Sequence, residues 1–155
     1  MPISKMQSDS FASGVGGKVL QVVNGTTSTT VSTTSASYAD TGLAATITPS
    51  STSSKILVLA NIPDSHNAGV GGSILYLNVV RGSTQVIEFV RHGDYIQSGN
   101  IVTYGGSTSY LDSPSTTSAI TYKVQFRIHA SGSSYQQYIF LNNSTGTITL
   151  MEIAQ

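Results

Sequence analysis

The stretch Ala119-Ile120-Thr121-Tyr122-Lys123-Val124-Gln125-Phe126-Arg127-Ile128-His129 decides the fold class, because apolar and polar side chains alternate from Ile120 to His129 without a break. In an extended chain alternate residues point to opposite faces, so one face is apolar and the other polar or charged. At about 3.3 Å per residue such a strand runs on the order of 35 Å, which is long enough to cross a domain. The stretch therefore predicts a long β-strand at the boundary of a hydrophobic core.

Length and composition limit the classes of protein to which the chain can belong. Its 155 residues fit one domain, and the absence of cysteine excludes disulfide frameworks and thiolate metal sites. Charged residues make up 9% of the chain, against about 25% in ordinary globular proteins, and the formal net charge is zero. The seven Lys and Arg residues are scattered, which argues against nucleic-acid binding. Such a weakly charged surface is typical of a protein that functions as part of a larger assembly.

The first residues carry no targeting signal of the secretory type. Met1 to Met6 lack a basic start followed by an apolar run, and nowhere does the chain approach about 18 consecutive apolar residues. We therefore expect neither secretion by that route nor insertion into a membrane.

Residues 1–17 differ from the rest of the chain, because polar residues and glycines surround a few isolated apolar side chains. Such a segment cannot fold alone. We predict an extended N-terminal arm over residues 1–17, followed by one folded domain over residues 18–155. The apolar residues of the arm, Ile3, Met6 and Phe11, are candidates for docking on a partner. The alternative is a tail that lies on its own domain.

Turn signals divide the folded part into about nine short strands, and no segment shows a helical period. Asn24-Gly25 predicts a hairpin between a strand over 19–23 and a return strand over 26–34. Asp40-Thr41-Gly42 predicts a further turn before a strand over 43–48. We interpret the polar residues 63–72 and the glycine-rich residues 92–118 as loops.

Two strands, 55–62 and 74–80, are apolar on both faces, which predicts burial on both sides. The second forms a hairpin with 85–90 across Arg81–Thr84. Strands over 135–141 and 147–153, separated by a turn at 142–146, close the chain. This pattern predicts an antiparallel β-sandwich or barrel. The apolar residues expected in the core or in a trimer interface are Ile56, Val58, Ile62, Ile74 and Tyr76.

The candidate chemical motifs in the chain are weak. Gly14 to Lys18 fails the phosphate-loop pattern, because Ala12 and Val19 stand at required positions. Asp64, Ser65 and His66 have the side chains of a hydrolase triad, but adjacent loop residues are not expected to point at one another. No motif predicts a catalytic residue, a cofactor or a metal ligand, so we expect no enzyme activity.

Three further readings concern isolated polar and aromatic residues. Histidines related by a trimer axis are an alternative metal site, against surface or turn histidines. Glu88 is expected to pair with Arg91 or Lys123. Aromatic and polar residues of the glycine-rich region are candidates for glycan contact, against half-buried tyrosines of a sheet. The glycan candidates are Asp94, Tyr95, Asn100, Tyr104 and Tyr110.

Several phrases of the sequence resemble one family. The phrases are residues 17–23 (GKVLQVV), 37–43 (SYADTGL), 47–58 (ITPSSTSSKILV), 110–124 (YLDSPSTTSAITYKV) and 148–153 (ITLMEI). In this order they resemble a bacteriophage virion-surface module, which occurs as trimeric jelly-roll knobs in tail fibres and head-decorating proteins. The resemblance covers roughly residues 17–153. It implies a jelly-roll β-sandwich of about eight or nine antiparallel strands and a homotrimer.

The resemblance also implies a location on the virion surface. The short arm favours a capsid decoration or cement protein, whose partners are its own copies and the major capsid protein or another virion protein. The alternative is a tail-fibre tip that recognises a glycan of the host surface.

Overall fold

The computed structural model describes residues 17–67, 71–96, 102–129 and 136–155. This part of the chain forms ten β-strands and one short 3-10 turn at Leu141–Asn143. The strands are β1 (Val19–Thr27), β2 (Val31–Thr33), β3 (Ala39–Ile47), β4 (Lys55–Asn67), β5 (Gly71–Arg81), β6 (Thr84–Ile96), β7 (Val102–Asp112), β8 (Ile120–Ile128), β9 (Gln137–Ile139) and β10 (Gly146–Ile153).

The strands form two antiparallel sheets. Sheet I has the order β1-β10-β4-β7, and the short pair β9-β2 continues it beside the second half of β4. Sheet II has the order β3-β8-β5-β6. Except for the β5-β6 hairpin, the eight long strands alternate between the sheets along the chain, as expected of a jelly roll. The predicted all-β jelly-roll sandwich is confirmed.

The core lies between the two sheets, and the alternating stretch of the sequence supplies its centre. β8 spans Ile120–Ile128, and its Tyr122, Val124, Phe126 and Ile128 are buried. Tyr122, Val124 and Phe126 belong to one core cluster with inward residues of the facing sheet such as Ile56 and Val58. The prediction of a long strand at the core boundary is therefore confirmed.

The hairpin predicted at Asn24-Gly25 is wrong, because both residues lie inside β1. A side chain at Gly25 would meet the carbonyl oxygen of Ala44 at 2.0 Å, so the glycine allows β3 to pass close to β1. The turn predicted at Asp40-Thr41-Gly42 is also wrong. These residues form a bulge within β3, where the pairing with β8 shifts and Gly42 adopts a φ of 83°.

The two predicted loops are mostly strand. Residues 63–67 extend β4, while 92–96 and 102–112 belong to β6 and β7. The serine, threonine and glycine residues of these segments lie on strand faces. The polar composition was therefore wrongly interpreted as a sign of loops. The hairpin across Arg81–Thr84, the turn at 142–146 and the final strand at 147–153 lie where they were predicted.

The two strands predicted to be buried on both faces differ from each other. In β4, Ile56, Val58 and Ile62 are fully buried, but Leu57 and Leu59 are only half-buried on the outer face. In β5 both faces are largely covered, and Tyr76 and Val80 are buried on the outer side. The prediction is therefore correct for β5 and wrong for one face of β4.

The buried carboxylate of Glu152 connects several strands near the end of β10. Glu152 accepts hydrogen bonds from Gln21 Nε2 at 2.6 Å and from the backbone N–H of Ser50 at 2.7 Å. Burial alone would raise the pKa of Glu152, but hydrogen bonds from Gln21, Ser50 and Ser54 outweigh it and lower that pKa to about 2. The charged form of Glu152 therefore joins β1, β10 and the β3-β4 connection.

Candidate functional site

The two outer faces of the sandwich differ in charge, and this difference is the main functional feature of the described structure. The outer face of sheet II, here called the charged face, carries charged side chains on three of its four strands. They are Asp40, Lys123, Arg127, Glu88 and Arg91. The period-two pattern of β8 places Lys123 and Arg127 there, opposite the apolar residues of the same strand.

Stacked arginines and tyrosines cross the charged face. The guanidinium of Arg127 lies 3.7 Å from the ring centre of Tyr76 and 5.1 Å from that of Tyr38. Arg91 covers Tyr76 from β6 at 5.4 Å. Such cation–π contacts explain how Tyr76 is buried on an outer face. Tyr76 was predicted as a packing residue, but the roles of Arg127 and Tyr38 were not predicted, because their contact depends on strand pairing rather than on spacing.

Polar contacts complete the charged face. Tyr38 Oη donates to Glu88 Oε2 at 3.1 Å, and burial followed by the hydrogen bond to Glu88 raises the pKa of Tyr38. Lys123 Nζ and Gln125 Nε2 each donate to Asp40 at 2.7 Å, and these two bonds lower the pKa of Asp40. The expected pairing of Glu88 with Lys123 is therefore wrong, and Arg91 lies over Tyr76 instead.

The outer face of sheet I carries no charged residue over three consecutive rows of paired positions, here called the neutral face. Each row runs across β1, β10, β4 and β7 in register. The first row is apolar, and the other two are mostly hydroxyl and amide side chains. The rows are Val22-Met151-Leu57-Leu111, Asn24-Thr149-Leu59-Ser109 and Thr26-Thr147-Asn61-Ser107.

The neutral face holds two of the four exposed large apolar side chains of the described residues. Val22 is 56% exposed and Leu111 47%, and Val19 and Leu20 precede Val22 on the same edge strand. A shallow depression of about 550 Å³ adjoins the apolar row, lined by small side chains such as Ser107, Ser109 and Thr147. Lys55 borders the neutral face at one end, and Asp64 and His66 border it at the other.

Asp64 and His66 point at one another, contrary to the expectation for adjacent loop residues. They are two residues apart on β4 and therefore lie on the same face of the strand. His66 Nε2 lies 3.1 Å from Asp64 Oδ2, and Thr103 Oγ1 lies 3.1 Å from His66 Nδ1. Ser65 faces the other way and donates to the carbonyl of Tyr104. Asp64 Oδ1 also accepts the backbone N–H of Phe140, which has a left-handed φ of 60°, and the hydroxyl of Ser144. Through these hydrogen bonds Asp64 stabilises the turn between β9 and β10.

The residues predicted to contact glycan do not form one group in the described structure. Tyr110 lies half-buried on the inner side of β7, and Tyr104 stacks on His92 with ring centres 4.7 Å apart. Asp94 and Tyr95 lie on β6, paired with Ser73 and Gly72. Asn100 lies outside the described residues, so its part in a glycan site stays a prediction.

The other predicted sites have mixed outcomes. Ile3, Met6 and Phe11 lie outside the described residues, so their docking role stays a prediction. Ile56, Val58 and Ile62 belong to the core of one chain, whereas Ile74 and Tyr76 lie on the outer side of β5. Leu57, Met151, Val22 and Leu111 were not predicted as site residues. The apolar outward parity of β4 at Leu57 and Leu59 was the signal that could have identified them.

The three histidines have separate surroundings. His66 contacts Asp64 and Thr103, His92 stacks on Tyr104, and His129 Nδ1 lies 3.5 Å from Tyr76 Oη. Among the residues that the structure describes, no three His, Asp or Glu side chains form a group able to hold a metal ion. In the same ranges no helix has the length and apolarity needed to cross a bilayer.

Comparisons with known proteins give a likeness in structure only. No family model matches the chain, and no curated protein matches it. One similar solved structure is a mutant VP2 protein of infectious bursal disease virus in T=1 particles, with 12% identity, a TM-score of 0.46 and 99% of this chain covered. Another is the structure of infectious bursal disease virus strain Gx, with 13% identity, a TM-score of 0.44 and 98% covered. The chain spans 40% and 42% of those chains.

Proposed function

We propose that the protein is a non-enzymatic structural protein of a bacteriophage virion surface. In this proposal it is a homotrimeric capsid decoration or cement protein. Its jelly-roll domain projects from the particle, and its N-terminal arm binds the major capsid protein or another virion protein. Binding that occurs only on the assembled shell stabilises the shell by mass action.

The observation that carries the proposal is where the resembling phrases lie in the fold. They fall on β1, β3, β4, β7, β8 and β10, which are six of the eight long strands. The resemblance therefore concerns the framework of the sandwich. The jelly-roll order of the two sheets agrees with the architecture that the resemblance implies.

The arrangement of charge supports an assembled protein. The charged face has its carboxylates and cations already paired or stacked, as with Lys123 and Asp40. The neutral face has neither charges nor enough apolar area to be a core, and such a surface is typical of contact with another folded protein. In the assembly, the neutral face is then the side that contacts other proteins, and the charged face is the side that faces solvent.

The arm is tested by binding purified protein to shells of its phage that lack it. Deletion of residues 1–16 is expected to leave a folded trimer and to abolish binding to the shell, measured by co-sedimentation. A triple variant, I3S/M6S/F11S, is expected to bind at least tenfold more weakly, because the apolar anchors are lost. The matched control S8A/S10A/S13A, which alters the same segment without touching those anchors, should bind normally. Full binding by the deleted protein would contradict the proposal.

A second candidate function is glycan recognition at a tail-fibre tip, which one observation favours. His92 is exposed, and its ring stacks parallel to Tyr104 within 7°, so the outer face of the His92 ring is held as a flat aromatic surface between β6 and β7. Sugar rings stack on such platforms through their apolar faces. A glycan array with the intact protein and with H92A tests this candidate. Signal that is lost in H92A would favour the tail tip, and no signal from either protein would count against it.

A further inference from the structure

We propose that the neutral face is where copies of this chain contact one another around the symmetry axis. The inference rests on the homotrimer proposed above and assigns its contact surface. It is carried by the three uncharged rows that cross β1, β10, β4 and β7.

The exposed apolar row of the neutral face is a candidate for burial against another molecule. Val22 and Leu111 lie at its two ends and are 56% and 47% exposed, while Met151 and Leu57 between them are half-buried. Strand pairing places these four side chains side by side, so they form a continuous stripe rather than scattered surface residues. Contiguous exposed apolar surface of this kind marks a contact with another molecule.

Charge favours a second copy as that molecule. The neutral face against its own copy brings no like charges together, and its Ser, Thr and Asn side chains both donate and accept hydrogen bonds. Contact of the charged face with its own copy would remove Arg91, Lys123 and Arg127 from water, together with their acidic and aromatic neighbours on the same face. Of the two sheet faces, the neutral face is therefore the better candidate for self-contact.

Shape favours a cyclic arrangement. The apolar stripe lies beside the shallow depression lined by Ser107, Ser109 and Thr147, so one face offers both exposed apolar side chains and a hollow. Side chains of the stripe that enter the hollow of the next copy make a head-to-tail contact, which closes into a ring under cyclic symmetry.

The neutral face is smaller than a standard interface. Its three rows span five residues of each strand, about 17 Å, across four strands about 4.8 Å apart, which gives roughly 300 Å² in projection. A standard stable interface buries about 800 Å² per partner, so we expect the contact between copies to include residues around the neutral face as well.

Sedimentation velocity and mass measurement of three variants test the assignment. V22E and L111E place a carboxylate at exposed positions of the apolar stripe, so the single chain is expected to fold. We expect the mass to fall threefold, to that of one 16.2 kDa chain. The control A44E, at an exposed position of β3 on the charged face, should keep the wild-type mass.

Cross-linking provides an independent measurement, because the chain has no cysteine of its own. Because the contact is head-to-tail, a short bismaleimide should join position 111 of one copy to position 147 of the next, so L111C/T147C should give covalent oligomers and the control A44C/T147C should give none. If V22E and L111E keep the wild-type mass, or if L111C/T147C gives no covalent oligomer, the face assignment is wrong while the trimer stands. If the wild-type protein is a monomer, both the trimer and its contact surface are refuted. If the glutamate variants unfold, the cysteine pair decides the question.

Discussion

Tyr122 Oη donates a hydrogen bond of 2.6 Å to Asp112 Oδ2, and this bond joins β8 of sheet II to the end of β7 in sheet I. Arg81 Nη1 lies 3.1 Å from the same oxygen. Burial, followed by the hydrogen bond and charge of Asp112, raises the pKa of Tyr122 far above its usual range. The phenol is therefore protonated near neutral pH and acts as the donor in this bond.

Removal of this bond should lower stability without changing the fold. For Y122F we expect the free energy of unfolding to fall by about 1–2 kcal/mol, because Asp112 loses a charge-assisted hydrogen bond in a buried place. Urea unfolding measures the change. The control Y110F removes the same atom from a half-buried tyrosine of β7 and should cost less. Equal effects of Y122F and Y110F would show that the bond across the sheets contributes nothing special.

Glu152 should make stability fall in acid. Its folded pKa of about 2 lies below the usual value of 4.5, so its stabilisation is complete above about pH 4.5 and is lost as the pH falls toward 2. A shift of this size corresponds to at most about 3 kcal/mol. Thermal melting between pH 7 and pH 2 should show a smaller acid loss in E152Q than in the wild type. Parallel curves for the two proteins would contradict the role of Glu152.

The close approach at Gly25 should make that position intolerant of a side chain. A methyl group there would meet the Ala44 carbonyl, so G25A is expected to cost about 1–3 kcal/mol by forcing β1 and β3 apart. The control is G82A, where φ is 60° and the space around the added carbon is open. It should cost only about 1 kcal/mol, from backbone conformation alone. Melting temperatures in the reverse order would refute the packing explanation.

The stacked arginine of the charged face should matter more than its neighbouring lysine. We expect R127A to cost about 1–2 kcal/mol, because Tyr76 and Tyr38 lose the cation that covers them. K123A should cost less than about 0.5 kcal/mol, since its partner Asp40 is 51% exposed and the pair is screened by water. R127K, which keeps the charge but not the planar group, is expected to lie between them. Chemical unfolding of the three variants tests this order.

The sequence was sufficient to predict the fold class because the alternation from Ile120 to Ile128 is local. A period of two in side-chain polarity reflects burial on one face, and both sheets repeat it. Two predicted turns were wrong, because the glycine in each has a structural role other than forming a turn. Gly25 serves a close crossing of strands and Gly42 serves a bulge, and neither the crossing nor the bulge is visible in a stretch of sequence.

The surfaces were harder to predict than the core, because they depend on which strands are neighbours. The neutral face combines residues from β1, β10, β4 and β7, which are far apart along the chain. Leu57 was seen to be apolar on an unexpected parity, but Val22, Met151 and Leu111 became its neighbours only through strand register. The contact of Arg127 with Tyr76 and Tyr38 depends on pairing in the same way.

The pairing of β1 with β10 has a mechanical consequence. Val19 lies opposite Ile153, and Ala154 N–H donates to the carbonyl of Lys18, so the two strands begin and end side by side. Tension applied between residues 18 and 154 would load these hydrogen bonds one after another, as in opening a zipper, and such a geometry yields at low force.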